Sequence, residues 1–537
     1  MDVFGTVSAA IALALKLEKM AEGLAADLND AKHFGSTLEK ARLQVQLETD
    51  RMRDMRVLLF GLSDEKNIIP GVTFLNLDDR TQLALLNLLR HFSELLASNY
   101  KIVDERYGVA EPSMSMILNT SISFESFQQA SWAKRLRWGF RDKKKLDKIL
   151  QELQSWNDRL FARIQLSFIR IPVIGNVPTE VSSASAIIAT GQTFLDKSPE
   201  AGRLGLDNDT KMLQLASGGE SGPLAQLRDD GLKNMISRRG NNMGKGSWTT
   251  ADIDRQMVLL EYKEFLPDLQ NNPAVASERR VEQLANMLHS KKSERYHMLS
   301  CRGFYVEQQQ FVLVFDIPEN NRNHSISTLY RDFEQQRKPS LEDRFNMAKT
   351  LAASISQLFA VGWVHKSFRS GNILYFTDLV KKQEPQWLNP YILGLEYARP
   401  ATETSSRTVE RHEIEDNIYR HPEQWGMPTT SFSILHDVYA LGVVLLEIGL
   451  WKQARTISRS GFSRVMSGLP VKEKLESWAS DLKLGSAMGR RYREIVLKCL
   501  QGDFGEFRGT AREQEVEFLE RFNTDVVNVL DDIVQTL

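Results

Sequence analysis

The polar groups best placed to do chemistry in this chain of 537 residues lie in one stretch, Val364-His365-Lys366-Ser367-Phe368-Arg369-Ser370-Gly371-Asn372-Ile373-Leu374. It supplies an imidazole, two cations, two hydroxyls and a carboxamide, but no carboxylate. The hydroxyl of Ser367 is uncharged at neutral pH and binds its proton far too tightly to serve as a carboxylate-type general base. Asn372 offers a metal ion one oxygen, and a hard cation with one protein ligand and no carboxylate is poorly held. A second cation of interest, Lys263, ends the strand-like run Val258-Leu259-Leu260-Glu261-Tyr262-Lys263. An exposed strand lysine would look the same.

These residues need elements to position them. From about residue 236 onward the pattern is of short strands followed by helices. Met257–Lys263 and Phe311–Asp316 read as strands, and Leu341–Ala360 as a helix with Phe345, Ala348, Leu351, Ile355 and Leu358 on one face. Asp437–Leu450 and Arg491–Leu500 read as further buried helices. Residues 1–165 are helical in pattern: Leu38, Val45, Met52, Met55 and Leu59 recur among charges, Leu83 to Leu95 is apolar almost all round, and Leu146, Ile149, Leu150 and Leu153 share a face. Between 171 and 235 the prolines, glycines and serines mark a linker.

Composition is that of an ordinary globular chain, 42% hydrophobic and 26% charged, and 68 Lys+Arg against 69 Asp+Glu leave no global pull toward nucleic acid. Two distant cysteines, Cys301 and Cys499, argue for a reducing compartment and against a disulfide or zinc scaffold. No apolar run reaches the roughly 20 residues of a spanning helix. Val3–Leu15 is nevertheless free of charge, with Val3, Phe4, Val7, Ile11 and Leu15 among its large apolar residues. As a helix it would measure about 20 Å, so it suits either the first helix of a bundle or a segment that also enters membranes. Lys134, Arg135, Arg137, Lys143, Lys144 and Lys145, interleaved with Trp138 and Phe140, suit anionic lipid headgroups; a solvated helix face is the plainer reading.

The stretch around His365 resembles the catalytic loop of protein kinases, H-R-D-L-K-P-x-N. The resemblance aligns Ser367 with the proton-accepting aspartate, Arg369 with the lysine and Asn372 with the asparagine. It implies that Lys263 would hold nucleotide phosphates and pair with Glu282 on the next helix. Gly394-Leu395-Glu396 falls where the metal-binding D-F-G is expected, with Gly394 in place of the aspartate. The glycine-rich stretch 240–247 matches neither G-x-G-x-x-G nor a Walker loop. Tyr419-Arg420-His421-Pro422-Glu423 is similar to the A-P-E element, which implies that Glu423 pairs with a late arginine, Arg490 or Arg491. Asp437-Val438-Tyr439-Ala440-Leu441-Gly442 resembles the kinase helix whose aspartate bonds the catalytic-loop backbone. Structural residues are present and chemical ones are not, as in a pseudokinase. ATP remains compatible with Lys263, Glu282 and Asn372, magnesium is poorly provided for, and no cofactor is certain.

The N-terminal apolar helix, the stretch ending Leu59-Phe60-Gly61-Leu62 and the run Arg141-Asp142-Lys143-Lys144-Lys145-Leu146-Asp147-Lys148 resemble fungal HeLo (prion-inhibition and propagation) domains. That resemblance implies a membrane-permeabilising helical bundle. The expected organisation is a multidomain chain: an all-α HeLo-like bundle over 1–200, a linker over 201–235 and an α+β two-lobed protein-kinase-like fold over 236–537. The expected function is a cell-death or incompatibility effector in which the C-terminal domain controls the bundle, switched by a partner, a nucleotide or phosphorylation of Thr402, Thr404, Ser405, Ser406 or Thr408. Its partners would be further copies of the bundle, an anionic membrane and an upstream signalling protein, with no nucleic acid. It would move from cytoplasm to a membrane, the plasma membrane first. An atypical active Ser/Thr kinase and a non-enzymatic scaffold are the alternatives.

Overall fold

The computed structural model describes residues 10–19, 21–22, 36–61, 74, 77, 79–107, 143–169, 198–216, 227–239, 248–265, 275–289, 294–318, 324–378, 387–401, 417–426, 428, 430–457, 467–509 and 511–537. They divide into two compact units that meet in the sequence at Leu206 and Asp207.

The first unit is helical: α1 (10–19), α2 (Ser36–Phe60), α3 (Asp79–Tyr107), α4 (Lys143–Ile169) and α5 (Pro199–Leu204). The apolar spacing places Val45, Met52, Met55 and Leu59 of α2, Leu85, Leu89 and Phe92 of α3, and Leu150, Leu153 and Phe161 of α4 in its interior. Phe92 stacks on Trp156 at 5.7 Å between centroids. Ala10, Ile11, Ala14 and Leu17 of α1 are buried as well. Polar groups also join these helices. Arg53 and Arg56 of α2 both reach Glu18 of α1, the first at 2.8 Å. Asn157 of α4 donates to the carbonyl and carboxylate of Glu48 at 2.9 and 2.8 Å, and Arg203 of α5 forks onto Asp54 of α2 at 2.7–3.1 Å.

The stretch expected to be a linker over 201–235 is structured in part. It contains the end of α5, α6 (Leu206–Ala216) and α7 (Leu232–Met235). Gly205, with φ 81°, is the left-handed residue that closes α5, its N–H bonding the carbonyls of Ala201 and Gly202. A glycine that ends a helix and a glycine that loosens a linker are the same letter in a sequence, and only packing separates them. Met212, Leu215, Ala216 and Leu227 lie in the core of the second unit.

That unit opens on an antiparallel sheet with β1 (Ile236–Arg239), β2 (Trp248–Ile253), β3 (Gln256–Glu264), β4 (Ser300–Glu307) and β5 (Gln310–Asp316) in the order β1-β2-β3-β5-β4. Successive strand residues point to opposite faces. Leu259, Phe311, Leu313 and Phe315 enter one core, which Val281, Leu284, Ala285 and Leu288 of α8 (Val275–His289) help to build. Val258, Leu260, Val312 and Val314 enter another, with Leu232 of α7. Both faces are buried, which is why these strands read as unbroken apolar runs.

A helix-rich part follows. It includes α9 (Leu341–Ala360), α10 (Ile434–Leu450), α11 (Gly468–Ser480) and α12 (Leu482–Gln501), with a three-stranded sheet of β6 (His324–Thr328), β8 (Ile373–Asp378) and β9 (Tyr391–Ile392). Trp363–Val364 (β7) pairs with Arg399–Pro400 (β10). α10 is buried almost throughout, and Gly442 lets it approach α12 closely: a Cβ there would lie 2.9 Å from that of Cys499. The chain is thus multidomain and of mixed α and β structure.

Candidate functional site

Strand β7 delivers the chain into the loop 365–372, and Asp437 in the first turn of α10 holds it there. The Asp437 carboxylate accepts the backbone N–H of His365 at 2.5 Å and of Lys366 at 2.9 Å. Burial pushes this carboxyl up to about 7, and the two N–H bonds oppose that shift. Lys366 takes a left-handed φ of 65°, a conformation unusual for a side-chain-bearing residue, which this double grip maintains. Its ammonium lies 5.2 Å from the ring centre of Phe432. Desolvation, with Arg399 nearby, lowers it to about 7.

Inside the loop the polar groups face one another. The Nδ1 of His365 accepts the N–H of Ser367 at 3.2 Å, so Nε2 carries the proton and donates to the carbonyl of Leu393 at 3.0 Å. The carboxamide of Asn372 donates to the carbonyl of Ser367 at 2.8 Å and to its hydroxyl at 3.2 Å. The backbone carbonyl of Asn372 accepts from Leu393 N–H at 2.8 Å. Ser367 is buried and already bonded, and it is not offered as a base. Arg369 is half-buried at the start of the Ser370–Asn372 turn.

Gly394 stands next to this cluster with φ 78°, before the turn Leu395–Tyr397. A Cβ at Gly394 would fall 1.9 Å from the Asn372 amide nitrogen. The space a side chain at position 394 would need is therefore filled by Asn372 itself. These residues do not fit magnesium: one position has no side-chain oxygen, and its neighbour is turned onto Ser367. Glu396 lies in the turn, and its side chain is outside the described residues.

Among the described residues no ion pair joins Lys263 to Glu282. Lys263 is half-buried at the end of β3, paired in register with Phe311. Among the described residues Glu282 makes no ion pair. It follows Val281 on α8 and so lies about 100° round the helix from that buried residue. The acidic residue of α8 that does pair is Glu278, with Arg228. The glycine-rich stretch 240–247, the residues Thr402 to Thr408, and Val3, Phe4, Val7, Lys134, Arg135 and Arg137 lie outside the described residues. Ile11 is buried and Leu15 half-buried in α1. Lys143, Lys144 and Lys145 form the first turn of α4, which has no acidic residue there.

Glu423 does not pair with Arg490 or Arg491. Arg490 reaches Glu494 at 3.5 Å and Arg491 reaches Asp532 at 3.3 Å, while Glu423 accepts from His436 Nε2 at 3.1 Å. His421 stacks on His436 at 5.0 Å, and potential ligand atoms of His421, Glu423 and His436 lie within 4.8 Å of one another. The tautomer argues against a cation there. His436 Nδ1 accepts the N–H of Ser433 at 3.0 Å, so its Nε2 holds a proton and has no lone pair to give. Burial pushes His421 down to about 4 and lowers His436, keeping both neutral. The spacing Ser433-x-x-His436 could have disclosed this cap, since it parallels the capping box with histidine in place of glutamate.

A second buried network escaped the sequence reading. Ser370 bonds the Tyr419 hydroxyl at 2.9 Å, which donates to Glu447 at 2.7 Å; Glu447 also accepts Ala454 N–H at 2.7 Å. Nothing in the spacing of these residues announces that they meet.

No family model matches the chain. A cysteine-rich receptor-like protein kinase of Arabidopsis thaliana is 25% identical over 216 residues, 39% of this chain. The chain spans 30% of that relative's length.

Proposed function

We propose that residues 207–537 form a protein-kinase-like module that does not transfer phosphate, and that it governs the helical unit as a non-catalytic switch. The observation that carries this reading is the interior of the 365–394 site. Asn372 is bonded to Ser367 and occupies the space that a side chain at 394 would need. The Asp437 grip on the loop backbone and the similarity to the plant kinase support the kinase-like part. Lys263 is the residue offered to a nucleotide's phosphates, and the site holds no carboxylate arranged for magnesium.

The helical unit is the effector in this reading, a HeLo-like bundle that self-associates and permeabilises an anionic membrane when released. Among the described residues no helix is long and apolar enough to cross a membrane. Insertion would accordingly rest on α1 together with the residues before it. Three lysines at the start of α4 sit at the positive end of the helix dipole, where cations are disfavoured. An anionic surface would relieve that conflict.

The test is phosphotransfer by the full chain with ATP and magnesium. No incorporation above background is expected, and the Ser367→Asp/Gly394→Asp double variant stays inactive because Asn372 blocks position 394. Incorporation that disappears in Lys263→Ala would overturn the proposal in favour of an atypical active kinase.

A further inference from the structure

The segment that enters the second unit is fastened to it at several points. Asp209 of α6 accepts the Tyr296 hydroxyl at 2.7 Å, with both residues buried. The indole of Trp363 donates to the Met212 carbonyl at 3.1 Å. Further on, the backbone of Leu227 to Asp229 lies along β4, the edge strand: Phe304 N–H bonds the Leu227 carbonyl at 2.9 Å, and Asp229 N–H bonds the Phe304 carbonyl at 2.9 Å. Leu227 belongs to the core on one face of the sheet and Leu232 to the core on the other. The chain therefore passes around the sheet edge between them. Gly303 makes the approach feasible, because a Cβ there would lie 2.7 Å from the Leu227 carbonyl oxygen. At the same point Arg228 forms its ion pair with Glu278 of α8.

We propose that the described residues 207–216 and 227–232 act as an intramolecular strap that fixes α8 against the edge of the sheet. The chain arriving from the helical unit is then part of the regulatory apparatus of the second unit. This rests on the reading of residues 207–537 as a switch and identifies the element through which it is coupled. Docking of the strap satisfies backbone groups of β4 that an edge strand otherwise leaves open. Freeing it would release α8 and that edge together. Coupling of this kind is reciprocal, so a partner that moves α8 loosens the strap by the same factor.

The experiment is hydrogen exchange of the full chain, read over Val275–His289, with Ile434–Leu450 as the internal control. Arg228→Glu should speed exchange in α8 by about threefold, the scale of an ion pair with partly exposed partners. The Arg228→Glu/Glu278→Arg exchange of charges should return it toward the wild-type rate, short of it by the pair that Arg228 also makes with Asp230. Gly303→Ala, which pushes the strap off β4 without altering the strap itself, should have the larger effect. Unchanged α8 exchange in both Arg228→Glu and Gly303→Ala overturns the strap. So does a rise matched in Ile434–Leu450, which marks general unfolding. No nucleotide enters this measurement, so detection of kinase activity would overturn the switch reading and leave the strap result standing.

Discussion

The helical unit and the buried helix α10 of the second unit are held by different means. In the helical unit the apolar contacts are supplemented between helices by charged side chains: Glu18 with Arg53 and Arg56, Asp54 with Arg203, and Glu48 with Asn157. In the second unit α10 packs through apolar residues on nearly every side, and its two acids, Asp437 and Glu447, bind backbone N–H groups. Ion pairs with one partly exposed partner, as Arg53 with Glu18 and Arg203 with Asp54, are weakened by salt and can exchange for water. A buried carboxylate on peptide N–H groups has no such alternative. The first arrangement suits helices that separate under some condition, and the second suits a frame that must stay assembled.

The largest expected effect tests the frame. Asp437→Ala orphans two loop N–H groups, at about 1–3 kcal/mol each. The thermal transition of the second unit should fall by several degrees, whereas Asp437→Asn, which keeps one acceptor, should cost less. Equal melting of wild type and Asp437→Ala would remove the distinction between the units.

Next in size is the helical unit's first helix. Ile11 is buried in α1, and Ile11→Glu places an unpaired carboxylate there, a change expected to cost about 2–5 kcal/mol. Leakage from anionic liposomes treated with the full chain should fall for Ile11→Glu and for deletion of residues 1–15. Undiminished leakage after the deletion would confine α1 to a structural role.

Smaller again is Arg203→Lys, which replaces the fork on Asp54 with a point charge and should cost about 1 kcal/mol. Raising salt should shrink the difference between wild type and this variant if the helical unit is held in the way described. A difference independent of salt would place the Arg203 contribution in packing.

A further effect depends on pH. His421 and His436 are lowered by burial, so protonation favours the opened state. Their contribution is complete above about pH 6.5 and is lost as pH falls, that of His421 as pH approaches about 4. Asp437 and Glu447, raised to about 7, act in the opposite direction over the same range. The contrast to measure is therefore between wild type and His421→Asn, which keeps an acceptor for Glu423 N–H. Wild type should lose more stability than the variant between pH 6.5 and 4. Parallel pH profiles would show that His421 does not titrate on unfolding.

Much of the second unit was legible in the sequence, because period-2 and period-3.6 apolar patterns determine which face is buried wherever it lies. Leu341–Ala360 appears within the bounds its periodicity suggested, and Asp437 lies where the helix pattern put it. That Ser367 and Gly394 carry no carboxylate is likewise a fact of the sequence alone. Partnership was decided by tertiary structure. Glu423 meets His436, Glu282 meets no described cation, Tyr419 meets Glu447 across 28 positions, and Gly303 makes room for Leu227. Residue type and spacing state what a group can bond. Which group it bonds depends on long-range packing, which local periodicity does not encode.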